Sequence, residues 1–257
     1  TFRDYNRVAS FFTRGCNAAS PTQYGSTVAI GNVVVSPSEF MPRLFAENGR
    51  LLDSQGRITL DTPEALRALE NYRETYSYSD RTIYDFWKNA LEGFADGTAA
   101  MTVVFINYAS HILNSQMSRI AGKLGFAPVP GGKPLLGGGV IGIAQSCTCP
   151  AAACKFLEWL YADLVAPVFT MLGGLSPCRS AYSNRDISEQ YPWLSTARKS
   201  FPTAQRRSNS TYYQNFSELQ LETILAAHVQ QAVLGVCSPE EALKQAQEDC
   251  NRYFQPW

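Results

Sequence analysis

The chain has 257 residues, of which 45% are hydrophobic and 17% charged, enough apolar content to bury a sizeable core and too much for a disordered chain. Lysine plus arginine and aspartate plus glutamate both number 22, and a formal net charge of zero argues against a nucleic-acid partner, which needs a basic excess to neutralise phosphates. No stretch reaches the ~20 apolar residues of a membrane span, and no signal-peptide pattern is present. The chain opens Thr1-Phe2-Arg3-Asp4 without an initiator methionine, the expectation for an excised or processed piece.

Phe2, Tyr5, Val8, Ala9 and Phe12 recur at a helical period over Phe2 to Arg14, with Thr1 and Asp4 as a cap. Gly25 to Val35 reads as extended, ending in the β-branched run Val33-Val34-Val35. Ser36-Pro37 starts a short helix through Phe45. Leu51 to Asp53 and Arg57 to Leu60, around Ser54-Gln55-Gly56, read as a small hairpin. Thr62-Pro63-Glu64 opens a helix whose buried stripe is Leu66, Leu69, Tyr72 and Tyr76. Ile83, Phe86, Trp87, Ala90, Leu91, Phe94 and Ala95 have the spacing of an amphipathic helix that Gly97 closes. Ala99 to Phe105 reads as a buried strand, followed by a helix from about Tyr108 to Arg119. Leu124 to Pro128 and Leu135 to Ala144 read as two further strands. Pro150 opens a helix to Ala162, and Ala166-Pro167 another that Gly173-Gly174 closes. Ser176 to Ser210 is polar and irregular around one short helix. Helices from about Phe216 to Leu234 and from Ser238-Pro239-Glu240-Glu241 to Tyr253 finish the chain. Strands separated by helices indicate an α/β layer architecture, helix-rich here, and with no linker between consecutive domains any lobes are interwoven.

Local motifs do not indicate catalysis. Gly137 to Gly142 matches G-x-G-x-x-G, but the residues after it continue as strand rather than opening the helix a pyrophosphate requires. Gly132-Lys133 lacks both the serine or threonine and the first glycine of a phosphate loop. The two histidines, His111 and His228, are far apart, and neither H-E-x-x-H nor G-x-S-x-G occurs. Cys147, Cys149 and Cys154 lack the second pair of a zinc site, so no metal is expected, and buried or half-buried thiols are the preferred reading. Asn209-Ser210-Thr211 and Asn215-Phe216-Ser217 are glycosylation sequons by pattern only.

An ordered series of motifs carries more. It runs through Thr1-Phe2-Arg3-Asp4-Tyr5, Thr22-Gln23-Tyr24-Gly25, Gly49-Arg50-Leu51-Leu52-Asp53, and Thr62 to Leu69. It goes on through Phe94-Ala95-Asp96-Gly97-Thr98-Ala99-Ala100-Met101, Gly125 to Gly132, Leu136-Gly137-Gly138-Gly139, Ala152 to Leu157, Gly173 to Ser180, and Ser238 to Leu243. In this order the series resembles the family 1 extracellular solute-binding proteins, carbohydrate receptors of ABC importers with the type II periplasmic-binding-protein fold. The resemblance covers essentially the whole chain. It implies the C-terminal part of such a receptor with an incomplete first lobe: residues 1–123 and 164–257 would form the second lobe, and 124–163 would return to the first. Lacking its partner strands, that segment is expected to dock differently or pair with another chain, so self-association is possible.

The resemblance also implies a function: non-catalytic binding of a neutral sugar or oligosaccharide in an interlobe cleft, with no cofactor, an ABC permease as partner, and an extracytoplasmic location. Its candidate ligand-binding residues are Trp87, Phe105, Asn107, Tyr108, Gly137, Gly138, Gly139 and Arg179. The family often has tryptophan where Gly139 stands and Trp-Pro where Phe105-Ile106 stand, so stacking is weaker here or the ligand differs. Seven cysteines, many for an exported receptor, motivate the alternative of a binding-protein-like sensory or interaction module fused to a regulator.

Overall fold

The computed structural model describes all residues except 32, 82–85, 184–186 and 188–190. The chain divides into two compact units, each built from separated stretches. The first comprises Thr1–Val104, Val129–Leu136 and Thr203–Trp257; the second comprises Phe105–Pro128 and Gly137–Pro202.

In the first unit α1 (Phe2–Phe11) starts at a capping box: the Thr1 hydroxyl accepts from the Asp4 amide, and the Asp4 carboxylate takes the Thr1 hydroxyl at 2.7 Å. That hydrogen bond holds the exposed Asp4 carboxyl below the ordinary aspartate value. The buried face of α1 is Phe2, Asn6 and Ala9, while Val8 faces solvent. β1 (Tyr24–Thr27) lies against α1 at Gly25. A Cβ there would sit 1.7 Å from the Ala9 carbonyl oxygen, so no other residue fits. β1 pairs in parallel with β2 (Ala99–Thr102), Tyr24 opposite Ala99 and Thr27 opposite Thr102, and the Thr27 and Thr102 hydroxyls bond at 2.8 Å.

Parallel strands need a crossover. Here it contains α2 (Val35–Ala46), α3 (Pro63–Ser77) and α4 (Trp87–Ala95). Thr62 caps α3 through the Ala65 amide, with Pro63 at the first helical position. The hairpin between α2 and α3 is reduced to one antiparallel bridge, Leu52 with Ile58. The carboxy-terminal helices α10 (Glu218–Leu234) and α11 (Pro239–Tyr253) pack on each other and on α3, and α10 also packs on α2. Between them they bury Phe40, Met41, Leu44, Leu69, Tyr72, Leu221, Leu225 and Val229. This burial, at ~1.5–3 kcal/mol per large apolar side chain, is the unit's main source of stability. Leu60 donates its amide to Gln247 Oε1 at 2.6 Å, and Ile58 donates its amide to the Tyr213 hydroxyl at 2.9 Å, tying the hairpin to the end of the chain.

The second unit contains a 3-10 turn (Ile106–Tyr108), α5 (Ala109–Leu113), α6 (Pro150–Leu160), α7 (Val165–Met171), α8 (Ser180–Ser183) and α9 (Pro192–Ser200). Its core gathers around Trp193, with Ala109, Ala166, Ala181, Tyr182, Leu194 and Ala197.

Several expectations are corrected. β1 ends at Thr27, and the run Val33-Val34-Val35 is not extended: Val33 has a positive φ of 55°, Val34 precedes the helix, and Val35 already belongs to α2. The Ser36 amide and hydroxyl both reach back to the Gly31 carbonyl, so local turn chemistry overrides the β preference. β2 stops at Thr102, and the helix after it ends at Leu113 rather than Arg119. Leu124 to Pro128 and Leu135 to Ala144 form no strand, because apart from a bridge between Leu135 and Gln205 they find no partner among the described residues. Ile83 lies outside the described residues, and α4 begins at Trp87. Cys149 and Cys154 are exposed and Cys147 is half-buried, so these thiols are less enclosed than expected.

Candidate functional site

The expected site residues fall on both units. Trp87 belongs to the first; Phe105, Asn107, Tyr108, Gly137, Gly138, Gly139 and Arg179 belong to the second.

Trp87 opens α4 and is half-buried against Ala29, Val35 and Ala90, beside Val34. Phe86, 46% exposed, stands next to it with ring centroids 5.3 Å apart and planes tilted by 58°. Together they make an aromatic edge at the start of a helix.

The neighbouring connection from β1 to α2 is held at successive carbonyls. Tyr72 donates its hydroxyl to the Ala29 carbonyl, Gln230 Nε2 donates to the Ile30 carbonyl at 2.8 Å, and the Ser36 hydroxyl donates to the Gly31 carbonyl at 2.5 Å. The Ala29 amide donates to Glu39. Val33 then takes its left-handed backbone conformation, which for a β-branched residue is strained, and such strain persists only where the surroundings impose it.

Beneath this connection lies a buried ion pair. Arg43 Nη1 donates to Glu39 Oε2 at 3.1 Å, with the two side chains 1% and 6% exposed. The guanidinium lies between the rings of Phe2 and Tyr72, 4.7 and 4.8 Å from their centroids. Burial pushes the Glu39 carboxyl above the ordinary glutamate value, against the pull of Arg43. Asn6 and Thr75 complete the polar interior: the Thr75 hydroxyl donates to Asn6 Oδ1 at 2.7 Å, and Asn6 Nδ2 donates to Glu74 at 2.8 Å. None of these interior groups was marked by a sequence motif.

In the second unit Phe105 precedes the 3-10 turn, which its carbonyl closes by accepting the Tyr108 amide at 3.1 Å. Asn107 is exposed. Tyr108 is half-buried, and that burial raises its hydroxyl above the ordinary tyrosine value. A Cβ at Gly137 would come within 3.1 Å of the Phe105 ring edge, so the glycine lets the backbone lie close to that ring. Gly138 and Gly139 are exposed with nothing against them. Arg179 is exposed at the start of α8, in a turn fixed by the Cys178 amide donating to Ser176 Oγ and the Tyr182 hydroxyl donating to the Ser176 carbonyl at 2.8 Å. Among the described residues Arg179 has no ion-pair partner.

The structure thus brings Phe105 and Gly137 together, and places Asn107 and Tyr108 in the turn that follows Phe105. Among the described residues no three histidine, cysteine, aspartate or glutamate side chains gather as metal ligands. The half-buried Phe105 and Tyr108 rings with the Asn107 amide between them in the chain are binding chemistry: rings for apolar ligand faces and polar groups for hydroxyls.

The profile of the bacterial extracellular solute-binding proteins matches residues 14–196. Among solved structures, an ABC transporter solute-binding protein from Agrobacterium radiobacter K84, in complex with ribitol, is 20% identical and superposes with a TM-score of 0.79 over 99% of this chain and 64% of its own. The maltose-bound MalE3 of Thermotoga maritima is 21% identical, with a TM-score of 0.80 over 97% of this chain and 64% of its own. A curated relative, a probable amino-acid ABC transporter periplasmic-binding protein (y4oP) of Sinorhizobium fredii, is 20% identical over 70% of this chain and 42% of its own length. The chain therefore spans 64% of the length of these solved structures and shares their helix-rich α/β fold over that part.

Proposed function

Since the chain belongs to the bacterial extracellular solute-binding proteins, we propose that it is the ligand-binding component, or part of one, of an ABC-type importer outside the cytoplasmic membrane, and that its ligand is a neutral sugar, oligosaccharide or polyol. The observation that carries the ligand class is the Phe86–Trp87 aromatic edge set against a connection whose Ala29, Ile30 and Gly31 carbonyls are each held by a side chain. An aromatic face suits the apolar side of a sugar ring or polyol chain, and a rigid wall lowers the ordering cost of binding. Zero net charge suits an uncharged ligand. Phe105, Asn107, Tyr108, the Gly137-Gly138-Gly139 turn and Arg179, all on the second unit, are assigned to ligand contact as well. Lobes formed by residues 1–123 with 164–257, and a crossing segment 124–163, belong to this reading. The compact units, cut at 104/105, 128/129, 136/137 and 202/203, support interweaving with different boundaries.

The amino-acid description of the curated relative favours a second reading, in which the ligand is an amino acid. Isothermal titration against maltose, other oligosaccharides, monosaccharides, ribitol, mannitol and a set of amino acids separates the two. Heat with a member of the sugar or polyol set, with affinity falling about tenfold or more in Trp87→Ala while the variant keeps the parent's far-ultraviolet spectrum, is the expected result. Heat with amino acids alone, or sugar binding indifferent to Trp87→Ala, overturns the assignment.

A further inference from the structure

We propose that Glu39 is a positioning residue of the ligand wall: through Ala29 its charge sets how Trp87 is held, and with it how tightly ligand binds. The inference rests on the reading of Trp87 as a ligand contact. Ala29 is fully buried, and Trp87 packs against the cluster that it forms with Val35 and Ala90. Ala29 is gripped at both of its backbone groups. Its amide donates to Glu39, and its carbonyl accepts the Tyr72 hydroxyl. Arg43 joins those two side chains: its Nη1 lies 3.1 Å from Glu39 Oε2, and its guanidinium lies 4.8 Å from the Tyr72 ring centroid. The buried pair thus reaches Trp87 by an unbroken run of contacts within the first unit.

Hydrogen bonds to an ionised partner are roughly twice as strong as neutral ones. A proton taken up by Glu39 therefore slackens its hold on the Ala29 amide and its attraction to Arg43 together. Among the described residues, the titratable groups facing the pair from neighbouring elements are tyrosines. On α1, burial pushes the Tyr5 hydroxyl up to about 12; on α3, burial holds the Tyr72 hydroxyl well above the ordinary tyrosine value. Glu74 reaches the pair only through Asn6 and Thr75. On α10, which packs over α2, Glu222 pairs with Arg207, and His228 pairs with Asp249 of α11. Burial lifts Glu39 itself above the ordinary glutamate value, so its proton exchanges closer to neutrality than that of an exposed glutamate. A ligand that needs the wall held tight binds the ionised form better. Its affinity is then full at neutral pH and falls as the pH drops through the Glu39 value, by at most about tenfold per pH unit.

Fluorine resonance of the full chain carrying fluorotryptophan tests the positioning without any ligand. The Trp87 signal, identified by its loss in Trp87→Phe, should shift with pH as one titrating group and should stay put in Glu39→Gln. If Arg43 left without its partner unfolds that variant, Glu39→Gln combined with Arg43→Met removes both buried charges and takes its place. Isothermal titration with maltose, ribitol and mannitol, none of which ionises near neutral pH, reads the consequence for binding. Affinity should be about fivefold or more weaker at about pH 5 than at about pH 7.5 in the parent, and independent of pH in the variant. A Trp87 signal that does not move, a signal that moves alike in the variant, or an affinity flat across the range overturns the proposal. A titrating Trp87 signal with no heat from any of the three supports positioning by Glu39 and overturns the sugar and polyol reading instead.

Discussion

Glu39 and Arg43 stand one helical turn apart in α2, a spacing that ordinarily marks a solvated pair on a helix surface. Here both are buried, and their environment gives a definite pH dependence. The folded-state value of Glu39 is raised above 4.5, so the folded chain holds that proton more tightly than the unfolded chain does. Its contribution to stability is therefore fully present below pH 4.5 and is lost as the pH rises through the folded-state value. Glu39→Gln removes that dependence. Urea unfolding of the parent and Glu39→Gln between pH 7 and pH 4.5 should show the parent gaining stability relative to the variant as the pH falls. The gain is at most about 1.4 kcal/mol per pH unit, the limit for one proton. Parallel curves would mean that Arg43 holds Glu39 ionised at no net cost. Neither this pair nor Asn6 was legible in the sequence, because polar residues on an amphipathic pattern read as the wet face. Tyr72, Ala9 and Phe2 were legible at the same level, since apolar periodicity reports burial directly.

At the scale of elements, helix starts were the most readable feature. Thr1 with Asp4, Thr62-Pro63 and Ser238-Pro239 each open a helix where the residue types place it, and Ser238 Oγ accepts from the Glu241 amide at 3.1 Å. A cap is a local contract between neighbours and needs no tertiary information. Strands failed for the opposite reason. Val33-Val34-Val35 and Leu135 to Ala144 have strand composition, but a strand exists only with a partner, which the segment's own residues do not specify. α3 illustrates an intermediate case: its buried face falls on Ala65, Ala68, Leu69, Tyr72 and Tyr76, with Leu66 only half-buried, one position round from the expected stripe. The close approach of β1 to α1 gives the prediction that belongs to this scale. Gly25→Ala places a methyl group inside the Ala9 carbonyl and should cost about 3 kcal/mol or more, read as a lowered urea midpoint with unchanged slope. A loss below ~1 kcal/mol would show that α1 can move off the strand.

For the whole molecule, the two units differ in what they enclose. The first buries long apolar faces of α2, α3, α10 and α11, whereas the second gathers a small core round Trp193 and leaves Val140, Leu164 and Leu172 largely open to solvent. The second unit should therefore open first. Native-state hydrogen exchange is expected to rank the amides of α5, α6 and α7 below those of α3 and α10, and limited proteolysis is expected to begin between 105 and 202. Equal protection in both units would refute the difference. Family membership was legible from the order of motifs along the chain, because that order survives where no single motif is distinctive. The candidate ligand contacts were legible only as residue types. Which backbone groups hold the connection behind Trp87 depends on Gln230, some two hundred residues away.

That interweaving governs how the chain is made. The first unit cannot close until residues 203–257 are available, because Leu60 bonds Gln247, Ile58 bonds Tyr213, and α2 and α3 are covered by α10. During synthesis, α2 and α3 emerge from the ribosome without the helices that bury them. Closure of the first unit then waits for α10 and α11, and its contacts carry the long sequence separations that slow folding. Until those helices have emerged, the first unit stays open to chaperones and to translocation machinery that handles only unfolded polypeptide.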